Sequence, residues 1–152
     1  MPAMPSDLTV RIWTRLARAQ RDVLGTIEAA LKAAGLPPLG WYDVLLEIER
    51  AGTSGIRPFE LERVTLLAQH NLSRLLDRLV RAGYAERNPA PQDGRGHALT
   101  ITPSGSDVRR KMWPVYAAAI QAALGDRLAP HEAAALDLLL ARLVRCSTEA
   151  GD

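Results

Sequence analysis

The chain of 152 residues is long enough for one ordinary domain and short for two, and its 47% hydrophobic and 24% charged residues exclude a disordered protein. No apolar run approaches the roughly 18 residues that a membrane helix needs, and the first residues lack a secretory signal, so we expect a cytoplasmic protein with no membrane partner. The net charge of +2 does not by itself indicate nucleic acid, although 17 of the 19 basic residues are arginine, the better donor to phosphates and guanine edges.

The amino-terminal part of the chain predicts two helices. Apolar residues recur at helical spacing between Leu8 and Leu31, which predicts one long helix from Ser6 to about Ala34. Gly35 and the Pro37-Pro38 pair end this helix. A second helix is predicted over Leu39–Ala51, with its apolar side chains directed to the core.

The middle third predicts a helix-turn-helix followed by a β-hairpin. A short helix begins at Pro58, and a second helix runs from about Ala68 to Ala82. Two strands, Tyr84–Arg87 and Ala98–Thr102, flank a loop over Asn88–His97. Such a unit can present one helix and one loop to adjacent grooves of a DNA duplex.

The carboxyl-terminal part predicts two further helices. Thr102 and Pro103 suit a helix start, because Thr caps the first turn and Pro is tolerated there. Pro114 lies inside this helix and should kink or divide it. The last helix begins near Pro130, after Gly125 has ended the previous one. The predicted order is therefore four helices, a hairpin and two helices.

The first helix and the last two are long and strongly apolar, and a small winged domain has no place to bury all three. Burying them against a second copy solves this problem, and a C2 homodimer is the simplest closed arrangement. The alternative is that the three helices pack only on their own subunit.

The helix predicted from Ala68 carries the candidate contacts to double-stranded DNA. Its apolar face, which must point into the core, comprises Leu72, Leu75, Leu76 and Leu79. The amino-terminal turns of the opposite face would meet base edges in the major groove, where Gln and Asn can pair with adenine and Arg with guanine. The predicted DNA contacts are Gln69, His70, Asn71, Ser73, Arg74 and Arg78.

The alternative for this polar face is a solvated surface without a function, the usual fate of such residues. The hairpin that follows directly after the helix favours DNA binding instead. Asp77 is left out of the contacts because phosphates repel a carboxylate, and we expect it to pair with Arg74 or Arg81 at helical spacing.

The hairpin tip carries the sequence Asp-Gly-Arg at 93–95. The minor groove is about 6 Å wide and strongly negative, so a single extended arginine, Arg95, fits it. Asp93 lies two residues earlier and could hold the guanidinium through paired hydrogen bonds. The alternative is an Asp-Gly turn that serves only chain reversal.

Four runs of the chain resemble the MarR (multiple antibiotic resistance regulator) family: Arg-Leu-Leu-Asp-Arg-Leu at 74–79, Gly-Tyr-Ala-Glu-Arg at 83–87, Asp-Gly-Arg at 93–95 and Leu-Thr-Ile-Thr-Pro-Ser-Gly at 99–105. The resemblance implies a winged-helix dimer whose first helix and last two helices form the dimer interface. It also implies that the helix at 69–82 enters the major groove and that Arg95 reaches the minor groove, steadied by Asp93.

The predicted fold class is therefore mainly α with a small β-hairpin wing, a winged helix-turn-helix flanked by dimerisation helices. A single domain covers residues 1–152, with dimerisation helices at 6–34 and 103–148 and the DNA-binding block at 39–102. The chain departs from the family pattern at Ala68, where a Ser or Thr often caps the recognition helix.

The resemblance further implies a site for a small aromatic or anionic effector between the dimerisation helices and the winged block. The candidate pocket residues are Trp13, Trp41, Tyr42, Trp113 and Tyr116. The alternative is that these large aromatic side chains, at helical spacing, only fill the core.

The sequence carries no motif of an enzyme or a metal protein. It has no glycine-rich phosphate loop, no nucleophile motif and no paired carboxylates in a plausible cleft, so we expect no catalytic residues and no cofactor. The histidines at positions 70, 97 and 131 lack ligand-like spacing, so we expect no metal. The single cysteine, Cys146, excludes an intrachain disulfide, and it is either a redox-sensing thiol or a small buried or terminal residue.

These residues predict a homodimeric, sequence-specific transcription regulator on a near-palindromic site with half-sites about 34–36 Å apart, and the resemblance implies that it is a ligand-responsive repressor. The alternative from another class is a winged-helix protein-interaction module without sequence-specific DNA binding, because Arg57 to Arg95 contains seven Arg against five acidic residues. A third alternative is an architectural protein that binds DNA without sequence preference.

Overall fold

The computed structural model describes residues 3–67, 70–90 and 96–148, with the backbone alone for 145–148. These residues form six α-helices and one two-stranded antiparallel sheet. In chain order the elements are α1 (Asp7–Ala33), α2 (Leu39–Ala51), α3 (Pro58–Val64), α4 (Leu72–Arg81), β1 (Ala85–Pro89), β2 (His97–Ile101), α5 (Pro103–Ala123) and α6 (Pro130–Thr148). The predicted fold class, mainly α with one hairpin, is confirmed.

The described residues form two compact units. One is Ile27–Tyr116, and the other comprises the described parts of Met1–Thr26 and Ala117–Asp152. The division falls within α1 and α5, so each of these two helices contributes to both units. The assignment of both helices to dimerisation within a single domain stays a prediction.

The unit Ile27–Tyr116 is built around an apolar core shared by α2, α3, α4 and the hairpin. Helix α2 supplies Val44, Leu45 and Ile48, which are completely buried and lie on one helical face. Burying a side chain of this size contributes roughly 1.5–3 kcal/mol. The other buried members of the core are Leu61, Leu72, Leu76, Leu79, Ala85 and Leu99. The predicted apolar face of the fourth helix is therefore confirmed.

Helix α4 begins later than predicted. The sequence placed its start near Ala68, whereas the structure begins α4 at Leu72. After α3, the backbone N–H groups of Leu66 and Leu67 donate to the carboxylate of Asp43 at 3.0 and 2.9 Å rather than to helical carbonyls. The predicted start was wrong, and the N-cap position of α4 is occupied by Asn71.

The two strands pair antiparallel along their whole length, but their ends differ from the predicted ones. The N–H of Tyr84 donates to the carbonyl of Leu79 at 2.9 Å, so Tyr84 belongs to the turn after α4, and β1 starts one residue later. At the other end, Nδ2 of Asn88 donates to Oγ1 of Thr100 at 2.7 Å. The strand pairing continues past the predicted end at Arg87, because Asn88 pairs with Ala98 and Pro89 with His97.

Helix α5 begins with the predicted cap. The Oγ1 of Thr102 accepts the N–H of Gly105 at 3.1 Å, so Thr102 belongs to the helix start, and β2 ends one residue earlier, at Ile101. The helix runs without interruption through Pro114. Division of the helix at this proline, one of the two predicted outcomes, is thus excluded.

A backbone bridge attaches the hairpin to the segment before α3. The N–H of Ile56 donates to the carbonyl of Leu99 at 3.0 Å, and the N–H of Leu99 donates to the carbonyl of Ile56 at 2.8 Å. The preceding residue, Gly55, has a φ of +72°, and a Cβ there would lie 2.9 Å from the Cβ of Ala98. Glycine is required at this close approach.

The unit that contains the amino- and carboxyl-terminal helices leaves large apolar side chains exposed. Those on α1 are Leu8, Val10, Ile12, Trp13 and Leu16. Those on α6 are Leu136, Leu138, Leu139, Leu143 and Val144. Extended apolar surfaces of this kind mark interaction sites rather than ordinary solvated surface.

Candidate nucleic-acid interface

Helix α4 has a buried apolar face and an exposed polar face. Leu72, Leu76 and Leu79 are buried, and helical spacing directs the polar residues to the other side. The polar face of α4 consists of five exposed residues: Ser73, Arg74, Asp77, Arg78 and Arg81. The structure therefore brings three of the predicted DNA contacts, Ser73, Arg74 and Arg78, together on one accessible surface.

The predicted contacts at the amino-terminal end of α4 lie in a turn and not in the helix. His70 and Asn71 are both exposed there, immediately before the first helical residue. Asn71 occupies the N-cap position, but its side chain makes no capping hydrogen bond to α4. Gln69 lies outside the described residues.

The carboxylate of Asp77 pairs with Arg87 on β1 and not with Arg74 or Arg81, so the predicted partner was wrong. The chain turns back at the end of α4, and β1 then runs beside the helix, where Arg87 can reach Asp77. The negative charge on the polar face of α4 is thereby matched by a cation from the hairpin. The expectation that Asp77 is structural, rather than a DNA contact, agrees with this pairing.

The described part of the wing brings the two ends of its loop together. The N–H of Ala90 donates to the carbonyl of Gly96 at 3.3 Å, just beyond the last paired residues of the strands. Gly96 has a φ of +73°, which suits a glycine at this reversal. The predicted groove-reading Arg95 and its support Asp93 lie outside the described residues.

Sequence reasoning missed Asp43, the buried carboxylate of this unit. Its side chain is 6% exposed and accepts the two backbone N–H groups of the segment between α3 and α4. Its position offered a signal, because it is a single acidic residue beside the apolar run Val44-Leu45 on α2. A carboxylate is almost never buried unless it is paired or hydrogen-bonded.

Three of the five predicted pocket residues form an aromatic cluster, and two do not join it. The rings of Tyr42, Trp113 and Tyr116 have centroids 5.2 to 6.2 Å apart. Trp41 instead packs edge-on against Tyr84, with a centroid distance of 6.0 Å. Trp13 belongs to the other unit and is 67% exposed.

Charged groups border the aromatic cluster. The guanidinium of Arg109 lies 5.9 Å from the ring centroid of Tyr42 and is also paired with Glu49. Burial raises the pKa of the Tyr116 phenol, and the charges of Tyr42 and Asp43 add to this shift. Burial would raise the pKa of Glu49, but hydrogen bonds from Ser106 and Arg109 and the nearby positive charges lower it. The aromatic cluster thus includes a phenol with a raised pKa, Tyr116, and it is bordered by the ion pair of Arg109 with Glu49.

Within residues 3–67, 70–90 and 96–148, no helix has the length and apolar content needed to cross a membrane. Over the same part of the chain, no group of three or more His, Cys, Asp or Glu residues is arranged to hold a metal ion. The side chain of Cys146, whose redox role the sequence left open, lies outside the described residues.

The paired helices α3 and α4, followed by a hairpin bonded back to the segment before α3, define a winged helix-turn-helix protein. A family model described as MarR family matches residues 34–96. The multiple antibiotic resistance protein MarR of Salmonella typhimurium is 33% identical over 103 residues, which cover 68% of this chain and 70% of that protein. MarR of Escherichia coli matches over the same length with the same identity.

Solved structures share the fold over most of the chain. A MarR family transcriptional regulator from Streptomyces coelicolor, in complex with DNA, has a TM-score of 0.82 at 23% identity and covers 99% of this chain and 91% of its own. A mutant MarR from Escherichia coli, complexed with operator DNA, has a TM-score of 0.73 at 27% identity and covers 91% of this chain and 99% of its own. The chain belongs to the MarR family of transcriptional regulators.

Proposed function

We propose that the chain is a homodimeric transcriptional repressor that recognises a pseudo-palindromic operator and leaves it when a small aromatic or anionic effector binds. The observation that carries this proposal is the exposed, cationic polar face of α4. It presents Arg74, Arg78 and Arg81, and its one carboxylate, Asp77, is paired with Arg87. The operator complex of the related Escherichia coli MarR supports DNA as the partner.

In this proposal α4 enters the major groove and the wing reaches the minor groove. The residues at the amino-terminal end, Gln69, His70, Asn71, Ser73 and Arg74, meet base edges and the nearest phosphates. Arg78, one turn further along, meets a phosphate or base. Arg95 enters the minor groove, and Asp93 holds its guanidinium.

The exposed apolar side chains of α1 and α6 support the homodimer. A chain that left Leu139 and Leu143 in water, at 55% and 54% exposure, would lose the free energy that their burial supplies. A second copy related by a twofold axis covers the same surface on both partners. Two α4 helices held in this way would meet half-sites about 34–36 Å apart.

The aromatic cluster supports the effector site. The half-exposed ring of Trp113 offers a stacking surface to an aromatic molecule, and Arg109, although paired with Glu49, brings a guanidinium beside the cluster. Binding there would change the separation of the two α4 helices in the dimer.

Selection of bound genomic fragments tests the proposal. The recovered fragments should share two inverted half-sites, and the protein should sediment as a dimer at the concentrations used. Equal affinity for selected and random duplexes would support the architectural alternative. No measurable DNA binding, with a folded dimer, would support the protein-interaction module.

A further inference from the structure

The buried carboxylate of Asp43 holds the first part of the segment that follows α3, at Leu66 and Leu67. The Oδ1 of Asp43 accepts the N–H of Leu66 at 3.0 Å, and its Oδ2 accepts the N–H of Leu67 at 2.9 Å. Each carboxylate oxygen therefore has its own backbone donor. Hydrogen bonds to an ionised acceptor are roughly twice as strong as those between neutral groups.

The carboxylate, and not apolar burial, fixes the start of this segment. Helix α3 ends at Val64, and Thr65 is already extended with φ −66° and ψ 138°, so the next N–H groups have left the helical pattern. The side chain of Leu66 is 75% exposed, so its packing contributes little to the position of its backbone. The described backbone bonds at this point are those of Leu66 and Leu67 to Asp43 and that of the Thr65 N–H to the carbonyl of Leu61 at 3.0 Å.

This segment leads into the end of α4 that would read bases. The buried residues Leu72, Leu76 and Leu79 set which face of α4 points outward. The position of the amino-terminal end depends in addition on the chain that enters it. Hydrogen bonds to base edges need donor–acceptor distances of about 2.7–3.2 Å, so a small displacement of this end removes them.

We propose that Asp43 is a positioning residue for DNA recognition, which holds the α3–α4 segment and thereby places the amino-terminal end of α4 against base edges. This inference rests on the proposed role of α4 as the recognition helix. Asp43 itself is buried, so in this proposal it acts through the backbone that it holds and not as a DNA contact.

The position of Asp43 also connects this segment with the aromatic cluster. Tyr42 is its neighbour on α2, and the charge of Asp43 contributes, after burial and Tyr42, to raising the pKa of Tyr116. Tyr42 and Asp43 are thus consecutive residues of α2, one in the aromatic cluster and the other bonded to the segment after α3.

The test compares Asp43→Ala with Glu28→Ala in the full chain. Glu28 is a matched control because its Oε1 also accepts a backbone N–H, that of Leu39 at 2.9 Å, but at the start of α2. The measured quantity is the ratio of affinities for a selected operator duplex and a random duplex of equal length. If Asp43 had only a structural role, its loss would lower the folded fraction and weaken binding to both duplexes equally, which would leave the ratio of affinities unchanged.

We expect Asp43→Ala to reduce this ratio by about 5- to 150-fold, the effect of one lost base contact, and Glu28→Ala to leave it unchanged. Asp43→Asn keeps one acceptor oxygen, so it should give an intermediate ratio, and it serves as the test if the alanine variant does not fold. Amide hydrogen exchange at Leu66 and Leu67 should accelerate in each Asp43 variant.

A wild-type chain without sequence preference would overturn the proposed function and this inference with it. A selective wild-type chain whose ratio is unchanged in the folded Asp43 variants would overturn the positioning role alone.

Discussion

The carboxylate of Asp77 on α4 is paired with the guanidinium of Arg87 on β1, which joins the polar face of α4 to the first strand of the wing. The hairpin thus has a side-chain attachment to α4 in addition to its backbone bridge between Leu99 and Ile56. The pair also neutralises the one carboxylate of a face that would approach phosphates. Helix and wing are therefore connected on the side where both would meet DNA.

Asp77→Asn should raise the affinity for random duplex DNA, because it removes a negative charge from the polar face and releases the charge of Arg87. The two side chains are 51% and 36% exposed, so the free energy of unfolding should fall by less than about 1 kcal/mol. Fluorescence anisotropy and urea unfolding measure these two effects. Asp107→Asn removes a similar exposed pair on α5 and should leave DNA affinity nearly unchanged. Weaker binding of random DNA by the Asp77 variant would contradict the prediction.

Arg74→Ala and Arg81→Ala should differ in their effect on sequence preference. Arg74 lies near the amino-terminal end of α4. Its loss should therefore weaken the binding free energy for the operator sequence by about 1–3 kcal/mol and relax specificity. Arg81 is the last residue of the helix, where a cation contributes only to the general attraction of phosphates. Affinities for operator and random duplexes separate the two effects. Equal loss of preference in both variants would contradict the assigned roles.

Arg95→Ala should weaken operator binding and reduce the slope of log affinity against log salt by about 0.9, since one cation leaves the DNA surface. Arg95→Lys keeps the charge but loses the planar fork, so it should restore the salt slope without the full affinity. Titrations at several salt concentrations measure both quantities. Undiminished binding by the alanine variant would argue against a wing in the minor groove.

Leu139→Glu should prevent the proposed dimer from forming, because a carboxylate would be buried in the apolar surface of α6 without a partner. Operator affinity should fall with it, since one subunit meets only one half-site. Sedimentation velocity and circular dichroism distinguish a folded monomer from an unfolded chain. Asp137→Ala, on the same helix, changes an exposed charged residue and should leave the dimer intact. A stable dimer of the Leu139 variant would exclude this surface as the interface.

Binding of a phenolic acid should quench the fluorescence of Trp113, because this ring lies in the aromatic cluster. A chain with Trp13→Phe and Trp41→Phe keeps this indole alone and should retain the response. Trp113→Phe should lose it, because Trp13 and Trp41 lie outside the cluster. A flat response of the wild-type chain across a panel of phenolic acids, with unchanged operator affinity, would remove the effector site.

Some elements could be predicted closely because their signals are local. Helix α2 was predicted at Leu39–Ala51 and is observed there, since it follows Pro38 and stops at Gly52. The hydrogen bonds of Leu66 and Leu67 to Asp43 could not be predicted, because their acceptor lies 23 and 24 positions earlier in the chain. The true partner of Asp77 was missed for the same reason, since it lies on the next element and not at helical spacing.

The sequence by itself determined the order of helices and hairpin, the apolar face of α4 and the grouping of its polar residues, because these follow from periodicity within one segment. Only the tertiary structure decided which distant side chains meet. It placed Tyr42 with Trp113 and Tyr116 while Trp41 packed on Tyr84, and it directed Asp43 to a backbone segment. Such contacts depend on how α2, the α3–α4 segment, α5 and the hairpin pack together, and that arrangement is set by side chains far apart in the chain.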